Sequence, residues 1–433
     1  MKETTLTAAD HSWLRLQEAA NPMASLAVLF FADVLPIDAL KALVEDRLMP
    51  YERFRQRVLP SRLPRGRPRW HEGDDFALDN HLFRATLKPL KPQGAARDLE
   101  SLISRLLSEP MPKDQPLWQL HLVEEVDGGS VLLVKIHQSV ADGTSASRIV
   151  LGLGDVESSE GAPEIVDQGL GNRIETEEVV EAASQPGSTV RSLCRLIAQR
   201  SDTDSPLMGK PTNQREVAWS QDFPMLRLRS FATRLEASET ELLLAAITAC
   251  LRQELIRLDL LPESTILRAV VPCNLRGPDH DPLGSRFGLA VLPLPVGRTT
   301  VRSRLRKLRQ DLDHLGSDPG SLAALQDTGD PGFRMSHVED QIARQIAKRT
   351  TLLLSFAPQP TEPLYFCGQK LEHWLYWPAQ AGLQRLCLGL SATSDQLRLG
   401  VSVDRESAAD PHRLAQAFDQ ALAEVASSSG ETT

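Results

Sequence analysis

The sequence predicts an α/β fold in two comparable blocks packed around a shared cleft. Three observations carry that expectation. The chain has 433 residues, the length of two domains or two similar halves. Strand-like apolar runs and segments of helical spacing mix in both halves, which calls for layers of both kinds. Between them lies an acidic stretch, 155–181, with nine carboxylates, one arginine, and Gly, Ser and Pro throughout.

Taken in order, SLAVLFFADV (25–34) reads as a buried strand, and 37–48 has helical spacing after Pro36. The segments 116–126 and 130–138 read as two strands joined by Asp127-Gly128-Gly129, a hairpin turn. A helix is expected over 146–153, with Thr144 or Ser145 as its N-cap. The 155–181 stretch is too polar to bury much surface and reads as a solvated linker. A short amphipathic piece, 190–198, interrupts the polar sequence, which then continues to about 214. In the second block, 239–257 is a helix opened by a Ser-Glu-Thr-Glu capping box, with Leu and Ala on one side. Strands are expected over 266–274 and 287–296, then a basic amphipathic helix over 301–315. Two strands around RLCLGLSAT and LRLGVSVD follow, and a closing helix over 411–425. The expected organisation is a first lobe over 1–154, a linker over 155–216 and a second lobe over 217–433.

Composition narrows the function. Net charge is −9, so the chain has no overall footprint for nucleic acid. Basic character is local: seven arginines lie between Arg53 and Arg69. They would suit anionic phosphates or lipid headgroups, or form an ordinary solvated loop. The five cysteines are widely spaced without a CxxC pair, which fits a reduced cytosol and argues against a disulfide framework or a zinc site. The first residues lack the apolar core of a signal peptide. No apolar run approaches bilayer length, so any membrane contact is expected to be peripheral.

One motif carries chemistry. In KIHQSVADGTS (135–145) a strand runs into a turn holding Asp142 and Gly143. A His at the mouth of such a strand, four residues before the Asp, could take a proton from a hydroxyl or amine. The Asp would brace the loop, and the Gly would permit a tight turn. Here that position is Gln138, and a carboxamide accepts no proton near neutral pH. Because strand side chains alternate, His137 should face away from whatever Gln138 faces. Its plain reading is then a core histidine.

The motif does not stand alone. LTAADHSWL (6–14), Pro22-Met23, RFRQRV (53–58), FALDNHLF (76–83), QPLWQLHLVE (115–124), VVPCNLRG (270–277) and PLYFCGQKL (363–371) surround it. With KIHQSVADG, these resemble the segments of the bacterial wax ester synthase/diacylglycerol acyltransferase family over nearly the whole chain. The resemblance implies a two-lobed fold of the CoA-dependent acyltransferase kind with a tunnel between lobes. It implies transfer of a fatty acyl group from acyl-CoA to a long-chain alcohol or diacylglycerol, with no cofactor beyond that co-substrate and no metal. The family's second His is the base, and Gln138 stands there. The site positions it implies are Gln138, His137, Asp142 and Gly143. Trp118, Arg276 and Ser285 are candidate substrate contacts, with Arg276 also a candidate partner for Asp142. Trp118 has the simpler alternative of packing in a core. Thr240-Glu241, Gly284-Ser285 and Ser355–Gln359 also depart from the family's segments.

Two functions of different class follow. One is an O-acyltransferase weakened by loss of the base. The other is a silent relative that binds acyl-CoA, neutral lipid or an active paralogue. Transfer to an amine is a third, since a weakly basic amine attacks without help. The expected location is cytoplasmic, with peripheral contact at the inner membrane or a lipid droplet surface.

Overall fold

The computed structural model describes residues 3–17, 21–62, 66–73, 75–86, 94–126, 128–157, 163–167, 169–170, 181, 201–212, 214–275, 283, 286–317, 322–326, 348–380 and 384–430. Two mixed sheets form the frame. The first has seven strands, in the order Leu82–Thr86, Trp118–Val126, Gly129–His137, Ala24–Phe31, Gln369–Trp377, Leu364–Phe366 and Asp155–Val156. The second has eight. Seven run in the order Arg215–Trp219, Gln396–Asp404, Leu386–Ala392, Leu352–Phe356, Arg268–Asn274, Arg286–Pro293 and Leu322–Gln326. Phe223–Pro224 pairs with the Gln396 end.

Alternation along the strands explains how the sheets meet. In Arg268–Asn274, Ala269, Val271 and Cys273 join the core of the second lobe. Val270 between them joins a separate cluster with Trp13, Leu26, Val28 and Leu133 of the first lobe. In Gly129–His137, Leu132 and Val134 face the first-lobe core, while Val131 and Leu133 face that shared cluster. All nine residues of this strand are buried, as expected of a central strand covered on both faces. Gly128, at φ +89°, supplies the left-handed turn of the hairpin before it.

Several expectations need correction. The strand Gln369–Trp377 falls late in the chain but pairs with Ala24–Phe31, at the centre of the first sheet. The second lobe is therefore not the uninterrupted 217–433. Strand pairing follows the apolar faces of LEHWLYW rather than position along the chain. The linker is anchored at several points among its described residues, Asp202 for one meeting Arg268 at 2.9 Å. Asp155–Val156 pairs with Leu364–Tyr365, and Ile165–Val166 pairs with Gln359–Pro360. Asp167 is held by Arg148 at 2.8 Å and by the Asn274 amide at 2.9 Å, so this stretch has partners that composition does not reveal. The piece at 190–198 lies outside the described residues.

The helix after the motif is Gly143–Leu151, and its cap is Asp142, which accepts from the Ser145 amide at 3.0 Å. Glu239–Arg257 has its capping box on Ser238 and Glu241. It is buried on nearly every side, not one, because the helices Val301–Ser317 and Pro411–Ser428 cover it against the sheet. The cations of Val301–Ser317 are largely spoken for. Arg304 pairs with Glu424, Arg309 with Glu241, and Lys307 with Asp311, which makes this a core-packed surface helix.

Candidate active site

The strand Gly129–His137 delivers the motif, and His137 is its last residue. Gln138 opens the turn that follows. Its backbone N–H donates to the Met23 carbonyl at 2.9 Å. Alternation therefore does not set its direction, because the strand stops one residue short; the turn does. Gln138 is 6% exposed and lines a cleft of about 790 Å³. Among the described residues its carboxamide has no hydrogen-bond partner.

The cleft lies between the sheets. Met23, Gly143 and Tyr376 of the first lobe face Val270, Leu289 and Leu353 of the second. The lining is mainly apolar, as is usual for small-molecule sites. Its polar groups are Gln138, Thr144, Ser147, Ser355, Tyr376 and Gln384. The Ser147 hydroxyl is engaged with the carbonyls of Gly143 (2.8 Å) and Thr144 (2.9 Å). The Tyr376 hydroxyl donates to the Gly143 carbonyl at 2.7 Å. Burial, with the Asp142 charge as a further cause, pushes that phenol above its ordinary range, so it stays protonated. Tyr376 is the only titratable side chain lining the cleft among the described residues, and it is not a base at neutral pH.

His137 lies elsewhere. It is fully buried and does not line the cleft. Its Nδ1 accepts from the Ser139 amide at 3.1 Å and sits 2.7 Å from the Ser139 hydroxyl. The proton is thus on Nε2, which is buried without an acceptor. Burial, helped by the charges of Lys113 and Lys135, pushes its pKa down to about 3. The ring is a neutral structural element.

Asp142 is fully buried and caps the helix, so it positions the loop rather than the substrate. Gly143 is not needed for a left-handed turn. It is the first helical residue and its φ is not positive. Its missing side chain leaves room in the cleft, since a Cβ there would meet the Tyr376 hydroxyl at 3.4 Å and Pro378 at 3.6 Å.

Trp118 as a substrate contact is corrected to a core residue. It is fully buried, its indole N–H donates to the Phe54 carbonyl at 2.7 Å, and its ring stacks on His81 at 4.5 Å. Arg276 and Ser285 lie outside the described residues. The arginine cluster is mostly paired within the lobe. Arg53 meets buried Asp10 at 3.0 Å, Arg55 meets Glu72, Arg57 meets Asp75, and Arg62 and Arg69 share Glu3. Arg53 also donates to the Ser139 carbonyl at 3.1 Å, so it holds the motif loop in place.

Two of the departing segments differ in role. Thr240 and Glu241 are structural: Thr240 donates to the Gly169 carbonyl, and Glu241 completes the capping box and meets Arg309. Ser355 to Pro358 form cleft wall. Sequence reading missed Tyr376, because the strand was followed only as far as Leu371. Trp374, Tyr376 and the following Pro378 were the available signal.

Comparison with known proteins agrees with this architecture. The model of the wax ester synthase/diacylglycerol acyltransferase catalytic domain matches residues 6–238, and that of the family's C-terminal domain matches 283–426. A probable diacylglycerol O-acyltransferase of Mycobacterium tuberculosis is 23% identical over 410 residues, covering 90% of this chain and 88% of that protein. The solved wax ester synthase/diacylglycerol acyltransferase from Marinobacter aquaeolei VT8 has TM-score 0.70 and 21% identity, over 99% of this chain and 100% of that one. The first condensation domain of a calcium-dependent antibiotic synthetase, in complex with a substrate analogue, has TM-score 0.68 and 16% identity, over 99% and 97%. With both lobes matched in order and the motif at the mouth of the shared cleft, the chain belongs to the wax ester synthase/diacylglycerol acyltransferase family.

Proposed function

We propose that this chain is an O-acyltransferase that moves a fatty acyl group from acyl-CoA to the hydroxyl of a long-chain alcohol or diacylglycerol, slowed by the carboxamide at position 138. The observation that carries this is the apolar cleft between the sheets, with Gln138 and the start of the Gly143–Leu151 helix in its wall. Family membership and the names of the relatives support the same reaction class.

In this reading the acceptor oxygen attacks the thioester carbonyl, the C–S bond breaks, and CoA leaves as the thiol. Gln138 can donate to or accept from the reacting groups, and so orient them, but it cannot hold the acceptor's proton. That proton passes to the departing thiolate or to water. Holding both substrates in one dry cleft still lowers the barrier, since orientation is a separate contribution from proton transfer. The thioester brings its own activation, so the reading calls for no cofactor beyond acyl-CoA. Among the described residues no cluster of His, Cys, Asp or Glu could hold a metal, and no helix is long and apolar enough to cross a membrane. Peripheral contact with a membrane or lipid droplet, from the cytoplasmic side, is part of the proposal because the substrates are apolar. Exposed Leu226, beside Arg227 and Arg229, is a candidate contact.

The lack of a titratable base in the described cleft favours a second reading, a family member that binds acyl-CoA or lipid without turnover. One assay separates them. Purified protein is incubated with palmitoyl-CoA and hexadecanol or diacylglycerol, and free thiol and ester are measured together. Ester formed above the uncatalysed rate supports the transferase. Tight palmitoyl-CoA binding with no ester sinks it and leaves the binder.

A further inference from the structure

We propose that Arg215 marks a second ligand site beside the acyl cleft, a polar chamber that takes a carboxylate or phosphate group. Arg215 opens the strand Arg215–Trp219 and is only 7% exposed. Among the described residues its guanidinium makes no hydrogen bond and no ion pair, and its Nη1 is buried without an acceptor. A buried cation of this kind is costly unless something of opposite charge meets it. The nearby carboxylate that acts on it is Asp404, its register partner on the adjacent strand. Asp404 does not pair with it. Its oxygens accept from the Thr212 amide and hydroxyl, at 2.6 and 3.0 Å, and from the Glu406 amide at 3.1 Å.

The surroundings indicate what is missing. Arg215 lines a partly open chamber of about 300 Å³ together with Asn21, Trp377, Gln380 and Ser402. Trp377, which also lines the chamber, has its indole Nε1 buried without an acceptor among the described residues. A buried donor on a charged group calls for an acceptor. The planar guanidinium matches the paired oxygens of a carboxylate or phosphate. The chamber is too small for an acyl chain.

Access runs both ways. Arg215 also lines an open mouth of about 1070 Å³ between the Gly94–Ser108 helix and the start of Pro411–Ser428. Met23 and Pro378 line both the chamber and the acyl cleft. An anion on Arg215 would therefore sit on a ligand entering by the mouth and reaching toward Gln138. Only the last step, what that anion is attached to, rests on the transferase reading. The two sources are a phosphate of the CoA moiety and an acidic head group on the acceptor or a fatty acid.

The test measures binding to the full chain by calorimetry and by thermal shift, so turnover plays no part. The probes are inorganic phosphate, CoA, pantetheine, decanoate and decanol. The expected result is that phosphate or decanoate raises the melting temperature of the wild type and leaves Arg215→Gln unmoved, with Arg215→Lys between. CoA weakened about tenfold or more in Arg215→Gln, with pantetheine unchanged, assigns the site to a CoA phosphate. Loss of the preference for decanoate over decanol assigns it to an acidic lipid. If no anion stabilises the wild type, the proposal is overturned whether or not the variants fold. Equal stabilisation of wild type and Arg215→Gln overturns it too. A protein that makes no ester can still pass this test, so the two failures are distinguishable.

Discussion

Replacing Gln138 by His tests whether the cleft is a working site that lacks only a base. The position is well fixed. Its amide is tied to the Met23 carbonyl at 2.9 Å, Arg53 holds the next carbonyl at 3.1 Å, and the buried Asp142 caps the helix that follows. An imidazole there would enter the same cleft from the same backbone. A placed general base contributes roughly 10²–10⁴ in rate, and the lower end is the fair expectation where no neighbour has been arranged to tune it. That is about 2.7 kcal/mol of barrier. The assay is ester formation from palmitoyl-CoA and hexadecanol at saturating substrates, followed as kcat, with palmitoyl-CoA affinity measured separately. The expected result is a rise in kcat of about 10²-fold with little change in affinity. An unchanged kcat with intact binding would refute the reasoning, because acceptor and thioester would then not meet at position 138. A wild type that is already fast, and that His137→Asn inactivates without unfolding, would refute it from the other side.

The other perturbations separate structure from chemistry. His137→Asn should cost about 1–3 kcal/mol of stability, by urea midpoint, and leave residual ester formation unchanged, since the ring is away from the cleft. Trp118→Phe loses the bond to the buried Phe54 carbonyl and part of the stack on His81. It should cost about 2–3 kcal/mol while KM for acyl-CoA stays within twofold, roughly the scatter of a surface change. Arg53→Met leaves the buried Asp10 carboxylate short of its cation. It should cost about 3 kcal/mol and speed amide exchange at Ser139 and Val140. Burial holds His121 at about 4, His137 at about 3 and His373 at about 4. The unfolded chain titrates near 6.5, so below that pH it binds more protons than the native state, and stability falls from pH 6.5 toward 3. At pH 5 each ring contributes a loss of about 2 kcal/mol, partly offset by the buried carboxyl of Asp202 and the half-buried one of Glu100, which are shifted up. Urea midpoints at pH 7 and pH 5 check this, and an equal or higher midpoint at pH 5 would contradict it.

Much of the frame was legible because it rests on local patterns. The capping box at Ser238 and the hairpin at Gly128-Gly129 are read from a few neighbouring residues, and both are present. The insertion of Gln369–Trp377 into the first sheet was not legible. Edge matching between strands more than 300 residues apart leaves no local trace. At the site, the sequence placed Gln138 toward the cleft, but by a rule that stops at His137. Trp118 stayed open between ligand contact and core, because motifs do not say which face of a strand is core. Arg215 gave no signal at all, since what sets it apart is that its buried Nη1 meets no acceptor among the described residues, the neighbouring Asp404 being engaged elsewhere.

Met23 shows how the two chambers are held in register. It adopts φ +52°, a left-handed conformation that a non-glycine residue takes at a cost of about 1–2 kcal/mol. Its side chain is 1% exposed, and full burial of a Met contributes about 1.5–3 kcal/mol. Its carbonyl accepts from Gln138, a further ~1 kcal/mol. Burial and the hydrogen bond together exceed the strain, so the conformation is stable without a ligand. A glycine would relieve the strain but lose the larger burial contribution and open the wall between the chambers. The same residue thus fixes the backbone of Gln138 and lines both the acyl cleft and the Arg215 chamber. The link from the chamber wall to Gln138 is a single hydrogen bond, from the Gln138 N–H to the Met23 carbonyl.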